Sequence, residues 1–217
     1  MSNSKSVWDF FSVKYCLNQD TRPDRWTLAH QELTRVGLEV ERFSSLPADQ
    51  PFKSFCLSQY AMLKSFLATG KETLLALEDD VIFQDLGHLT IALKALPKDW
   101  DILYLGANIT SMVNGIDIKP PEPCSWTKHL WRVRRAWTTH SVAYTRGMAQ
   151  DIVDMYPIYA FEMYDCWLSN NILEASNAFL VNPMVAWQRK GKSDLWGQET
   201  DYTGAFIQGD KIMNHVG

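Results

Sequence analysis

Three consecutive carboxylates, Glu78, Asp79 and Asp80, interrupt the stretch Thr73-Leu-Leu-Ala-Leu-Glu-Asp-Asp-Val-Ile-Phe83. At roughly 5 Å and an effective dielectric of about 20, each like-charged pair costs on the order of 3 kcal/mol, so something must offset the repulsion. All-oxygen ligands suit a hard cation such as Mg²⁺ or Mn²⁺, which is typically held by one or two carboxylates together with substrate phosphates. If the chain stays extended, Glu78 and Asp80 face one side and Asp79 the other, which makes Glu78 and Asp80 the expected metal pair. The same triplet also fits an acidic, solvated loop without function. Its position after an apolar run favours a site, because open α/β sheets bind ligands beyond the carboxyl ends of their strands.

A second polar stretch, Asn18-Gln-Asp-Thr-Arg-Pro-Asp-Arg25, follows the apolar residues 13–17. Asp20, Arg22 and Arg25 stand where nucleotide contacts are common, and arginine's forked donors match phosphate. Ordinary helix-start chemistry accounts for the same residues, with Asp20 or Thr21 capping and both arginines in solvent.

These groups need a scaffold of strands and helices. Residues 73–77 show no polar–apolar alternation, as expected of a strand covered on both faces, although a short apolar run alone also fits a helix. Gly70 before it and Asp85-Leu-Gly87 after it leave little room for a helix. Residues 13–17 read as a first strand and 23–36 as a helix with Pro23 at its start and Gly37 as its stop. A strand over 38–43, a helix over 52–68, a helix over 89–96 and a strand over 101–105 follow. From 107 to 136 the periodicity dissolves into a long loop, expected to be functional, containing Pro120, Pro121 and Pro123. A strand at 141–145, helices at 148–155 and 164–175, and a last strand at 179–181 precede an irregular tail, 188–217. The alternation specifies an α/β fold built on a single sheet flanked by helices.

The 217 residues are 46% hydrophobic and 21% charged, which suits one globular domain, 1–217, with a substantial core. A net charge of −4 argues against a general nucleic-acid binder. The first residues lack the apolar core of a signal peptide and no run is long enough for a transmembrane segment, so the expected location is cytoplasmic. Cys16, Cys56, Cys124 and Cys166 are widely spaced, without a C-x-x-C, and are expected to be reduced. Nine tryptophans are many for this length, and flat rings can wall a sugar site as well as fill a core.

Four blocks in order, Asn18–Arg25, Leu75-Ala-Leu-Glu-Asp-Asp-Val81, Trp100-Asp-Ile-Leu-Tyr-Leu-Gly106 and Ser141-Val-Ala-Tyr-Thr-Arg-Gly-Met-Ala149, resemble glycosyltransferase family 25. That family includes lipooligosaccharide and collagen galactosyltransferases, and the resemblance spans most of residues 13–195. It implies a GT-A fold with a Rossmann-like, mostly parallel mixed sheet, a UDP-sugar donor (most often UDP-galactose), a saccharide or glycoconjugate acceptor, and transfer with inversion, in a setting such as lipopolysaccharide biosynthesis. The chain departs from the family at Gln19 and Thr21 in the first block, and at Gln59, where the second helix usually carries Ser-His.

The resemblance also distributes roles. Mn²⁺ or Mg²⁺ held by Asp80, with Glu78 near it, would stabilise charge on the leaving pyrophosphate, and Asp79 would bond the donor ribose. Asp165, in Glu162-Met-Tyr-Asp-Cys-Trp-Leu168, is the candidate general base, with Glu162 in reserve; an ordinary helix N-cap is the competing role for Asp165. Ser193 and Asp194 match the family's late Ser-Asp and are expected to line the donor site. His140 and His215 either complete the metal shell or are structural. Lys128, Arg132, Arg134 and Arg135, interleaved with Trp126, Trp131 and Trp137, either cover the pyrophosphate, hold an anionic acceptor, or form a solvated face. Two other functions share this chemistry: a metal-dependent phospho- or nucleotidyltransferase, weakened by the lack of a P-loop, and a sugar-binding protein without turnover.

Overall fold

A computed structural model of the protein describes residues 6–110, 124–157 and 162–215. The chain opens with a 3-10 turn, Val7–Phe10, and continues through β1 (Val13–Asn18), α1 (Pro23–Arg35), β2 (Glu41–Ser44), α2 (Pro51–Ala68), β3 (Thr73–Glu78), β4 (Val81–Phe83), α3 (Gly87–Ala95) and β5 (Ile102–Tyr104). Then come β6 (Cys124–Thr127), β7 (Leu130–Arg132), β8 (Ser141–Thr145), α4 (Arg146–Met155), α5 (Tyr164–Asn171), β9 (Ala178–Val181), β10 (Ala186–Gln188), β11 (Gly191–Lys192), β12 (Glu199–Thr200) and α6 (Thr203–His215).

The central sheet has the order β2-β1-β3-β8-β5-β9-β7-β6 among the described residues. The pairings of β8 and β7 with their neighbours are antiparallel, so β2, β1, β3, β5, β9 and β6 run one way and β8 and β7 against them. This is an α/β protein with a mixed sheet between two layers of helices.

Alternation along the strands explains the layering. On β3, Leu74 and Ala76 pack with α2, α4 and α5, whereas Leu75 and Leu77 pack with α1 and α3. Neither face meets water, and this is why the strand carries no polar residue between Thr73 and Glu78. The same division repeats on β5, with Ile102 and Tyr104 on one side and Leu103 on the other. Among the described residues no helix is long and apolar enough to cross a membrane.

Two expectations from the sequence are corrected. The supposed loop 107–136 contributes β6 and β7 to the sheet, where β7 pairs with β9 through Leu130, Trp131 and Arg132; Pro120, Pro121 and Pro123 lie outside the described residues. The supposed irregular tail, 188–217, holds the end of β10, the short strands β11 and β12 and the thirteen-residue α6. Both are hard to read from sequence because strands of two to four residues are too short to show a period, and α6 carries Gly204 and Gly209, which weaken a helical pattern. Gly209 is there for packing, since a Cβ at that position would lie 2.7 Å from the Met184 side chain and 3.2 Å from Ile109.

Gly106 has a sharper requirement. A Cβ there would fall 1.6 Å from the Ala186 carbonyl oxygen. The missing side chain lets the segment entering β10 cross the end of β5, where Val185 N–H and Ala186 N–H both donate to Leu105 O at 2.9 and 3.1 Å. Strand β10 then pairs antiparallel with β4, placing Gln188 opposite Val81, directly after the acidic triplet.

Candidate active site

A cleft of about 710 Å³ opens at the carboxyl ends of β1 and β3. That volume lies in the ordinary range for small-ligand sites. Of the residues singled out from sequence, Arg22, Arg25, Glu78, Asp79, Asp80, Asp165, Ser193 and Asp194 all line it. Asp20 does not: it is exposed and accepts hydrogen bonds from Arg42 (2.8 Å) and Ser44 (2.9 Å), tying the first loop to β2.

The triplet is not extended. Strand β3 ends at Glu78, and Asp79 and Asp80 form the turn into β4. The expected split of Glu78 and Asp80 from Asp79 is therefore replaced by another one. Asp79 and Asp80 both turn toward Arg25, which pairs with an oxygen of each, at 2.8 Å for Asp80 Oδ2. Glu78 points elsewhere and accepts from Thr139 Oγ1 at 2.8 Å.

Each carboxylate is held differently. Asp79 Oδ2 accepts from Asn18 Nδ2 at 2.6 Å, and Arg42 fixes that amide by donating twice to Asn18 Oδ1, at 2.9 and 2.6 Å. Asp80 Oδ2 accepts from Arg25 and from Gln188 Nε2 at 2.9 Å. Asp80 Oδ1 is buried and has no hydrogen-bond partner. Burial, and then the Asp80 charge, drive the Glu78 carboxyl well above the usual carboxylate range. Burial also lifts Asp79, to about 6, against the opposing pull of Arg25.

An unpartnered buried carboxylate oxygen is costly, and a cation would satisfy it. The donor set, Asp80 through Oδ1 with Glu78 beside it, fits a hard divalent ion that takes its remaining ligands from phosphate and water. No group of three or more Asp, Glu, His or Cys side chains is gathered around one point among the described residues, so the protein alone would supply only a partial shell. His140 does not add to it: the ring is fully buried, its Nε2 lies 3.2 Å from Ala186 O and its Nδ1 3.2 Å from Thr138 Oγ1. Burial lowers its pKa, so the ring is neutral and structural. The side chain of His215 lies outside the described residues.

Arg22 and Arg25 border the same cleft. Arg22 grips Asp24 with two bonds, at 3.0 and 2.9 Å, and reaches Asp194 Oδ1 at 2.6 Å. Arg25 lies 3.6 Å from Asp194 Oδ2. A carboxylate thus neutralises both arginines where the sequence suggests donor phosphates. The plain capping role fails, since the residue at the α1 N-cap is Arg22 and no side chain caps that helix.

Across the cleft, Asp165 lies in the first turn of α5. The N-cap position belongs to Met163, so the capping alternative for Asp165 is set aside. One oxygen, Oδ1, accepts from Cys166 N–H at 2.9 Å; the other, Oδ2, accepts from Thr138 N–H at 3.1 Å, 27 residues away in sequence. Thr138 has φ of +69°, a conformation that β-branched residues rarely adopt. Its turn serves both carboxylates: Thr138 N–H meets Asp165 and Thr139 Oγ1 meets Glu78. The reserve base, Glu162, is exposed and does not line the cleft.

The basic cluster is elsewhere. Lys128, Arg132, Arg134 and Arg135 do not line the cleft. Arg132 donates to Ser176 O at 3.4 Å and Arg135 to Asn170 Oδ1 at 3.1 Å. Trp131 is buried, Trp137 lines the cleft, and the Trp126 side chain lies outside the described residues. Cys16, Cys56 and Cys166 are free thiols.

Sequence reasoning missed Asn18, Thr138, Thr139 and Gln188. Asn18 had a signal, a polar residue closing an apolar strand. Gln188 had none, because its approach to Asp80 depends on the pairing of β10 with β4.

No protein-family model matches the chain, and no curated protein matches it by sequence. Among solved structures it is similar to A197 from STIV, with 14% identity over 81% of this chain and 85% of that one and a TM-score of 0.50. It also aligns with a glycosyltransferase involved in glycosylation of the major capsid of PBCV-1 (7% identity, 94% and 99% of the two chains, TM-score 0.49). A mannose-1-phosphate geranyltransferase from Thermus thermophilus aligns more loosely (9% identity, 78% and 73%, TM-score 0.39). At such identity the likeness to A197 concerns the fold alone.

Proposed function

We propose that the protein is an inverting glycosyltransferase that moves a hexose, with galactose favoured, from a UDP-sugar to a carbohydrate or glycoconjugate acceptor with the help of Mn²⁺ or Mg²⁺. The observation that carries this reading is one cleft at the ends of β1 and β3 in which Asp80 keeps a buried, unpartnered oxygen on one wall while Asp165 faces in from the other. The four ordered sequence blocks that resemble family 25 support it.

In this reading the acceptor hydroxyl oxygen attacks the anomeric carbon, the bond from that carbon to the phosphate oxygen breaks, and UDP leaves. Asp165 takes the hydroxyl proton. Its two amide contacts leave the second lone pair of each oxygen available, and they hold the carboxylate without neutralising it. Arg22 and Arg25 supply positive charge where the pyrophosphate would lie, once phosphate oxygens replace Asp194 on their donors. A bound divalent cation would add electrostatic stabilisation of the departing diphosphate, and Asp80 and Glu78 are the residues that would hold it.

The test is release of UDP from UDP-galactose, UDP-glucose and UDP-N-acetylglucosamine with Mn²⁺ or EDTA, since slow donor hydrolysis needs no known acceptor. Metal-dependent release that is fastest with UDP-galactose is expected. Release from none of the three, under conditions where the chain is folded, would remove this reading.

A further inference from the structure

Trp196 is 61% exposed, more than any other large apolar side chain among the described residues. It nonetheless stands on a built turn. Ser193 N–H donates to Gln198 O at 2.9 Å, Gly197 N–H to Ser193 O at 2.8 Å and Trp196 N–H to Ser193 Oγ at 3.2 Å. Gly197, at φ +68°, closes the turn in a conformation suited to glycine. Asp194 anchors the same turn to Arg22 in the cleft wall. The ring is therefore held out in water by a structured support, although covering it would gain about 2 kcal/mol.

Its surroundings point to a ligand. Trp196 lines the cleft together with Asp165 and Tyr202. Asp80 and Glu78 line the same cleft. The indole thus belongs to the cleft that holds the carboxylates while most of the ring stays open.

We infer that Trp196 and Tyr202 form the platform for the acceptor, and that its recognised unit is an uncharged pyranose ring; this rests on the glycosyltransferase reading above. A pyranose has an apolar C–H face and a rim of hydroxyls. The face suits a flat indole, because contact releases water from both surfaces. The rim suits a phenolic hydroxyl that can donate and accept. Tyr202 lines the cleft together with the indole and Asp165, so a ring seated on Trp196 would share the cleft with the base. Asp165 and Asp80, which line the same cleft, disfavour an anionic sugar.

The experiment is saturation-transfer NMR of methyl β-D-galactopyranoside, methyl β-D-glucopyranoside and methyl α-D-mannopyranoside with the full chain and with Trp196→Ala and Trp196→Phe, alongside UDP titration of the same samples in Mn²⁺. At least one glycoside is expected to bind wild type, with transfer strongest to the C–H protons of one ring face. Trp196→Ala should weaken that binding about tenfold, equivalent to about 1.4 kcal/mol, and Trp196→Phe should recover part of it. Binding of none of the three by wild type, or equal binding by Trp196→Ala, overturns the platform. Trp196-dependent glycoside binding without any UDP binding would keep the platform and remove the transferase reading. UDP binding with glycoside binding indifferent to Trp196 would do the reverse.

Discussion

On one wall of the cleft Asp79, Asp80 and Asp194 are held by charge, through the guanidinium groups of Arg25 and Arg22. On the other wall Asp165 is held by two neutral backbone amides, one of them from a Thr138 turn at positive φ. The difference has a mechanical meaning. Ion pairs at a ligand site can be exchanged for pairs with an incoming diphosphate, so the first wall is suited to reorganise on binding. Amide contacts to a fixed turn do not change partners, so the second wall is suited to keep a proton acceptor in place.

The largest effect should come from removing the second wall's base. Asp165→Asn keeps the size of the side chain and one accepting oxygen, turns an NH2 toward the other of the two amides, and loses the basic carboxylate, so transfer should fall by roughly 10² to 10⁴-fold with UDP affinity near wild type. Steady-state kinetics at saturating donor check this, and full activity would move the base elsewhere.

Removing the charge of the first wall should cost folding instead. Arg25→Ala leaves the two carboxylates of Asp79 and Asp80 facing each other, with only amide donors from Asn18 and Gln188. A loss of about 3 kcal/mol in urea unfolding at neutral pH is expected, shrinking at pH 5 as Asp79, pushed up to about 6, takes up a proton. An equal loss at both values would mean that Arg25 acts through packing.

Glu78 sits between the walls and should show the opposite sign. Its folded-state pKa, pushed up to about 8 by burial and the Asp80 charge, means that the folded state resists ionisation. In the absence of divalent ions its contribution to stability is full below the unfolded value and is lost as pH rises through the folded one. Glu78→Gln should therefore raise stability at pH 8 by about 1 to 2 kcal/mol and leave it nearly unchanged at pH 4. Unfolding curves in EDTA at both values decide it.

The smallest effect is expected at Thr138→Gly. Glycine accepts the positive φ, which recovers about 1 kcal/mol of strain, and loses a similar amount through unfolded-state entropy. The N–H to Asp165 remains. Losing Oγ1 leaves the buried His140 Nδ1 without that partner, so stability should fall by about 1 kcal/mol, while transfer stays close to wild type; a marked fall in transfer would assign the work to Thr138 Oγ1.

The two walls also differ in how much of them the sequence shows. The first is written locally: an apolar strand ending in carboxylates, and a polar loop with two arginines, are each readable within ten residues. What could not be read was the turn at Asp79 and Asp80, because alternation assumes an extended chain and nothing local says where β3 stops. The second wall is assembled from afar. Thr138 and Asp165 meet only because β8 and α5 are brought together by the sheet and its helices. The first wall has one such distant part, since Gln188 reaches Asp80 only because Gly106 lets another segment cross the end of β5. The buried strands were legible by their unbroken hydrophobicity, whereas the two- and three-residue strands β7, β10, β11 and β12 are defined by pairing alone.

The most direct test of the central claim, that Asp80 and Glu78 hold a divalent cation against a nucleotide diphosphate, is calorimetric titration of UDP into wild type and Asp80→Asn, each in Mn²⁺ and in EDTA. Wild type is expected to bind UDP at least about tenfold more tightly with Mn²⁺ than with EDTA, a difference of about 1.4 kcal/mol, and Asp80→Asn should bind equally in both. Equal binding by wild type in Mn²⁺ and EDTA, or an undiminished metal effect in Asp80→Asn, would contradict it.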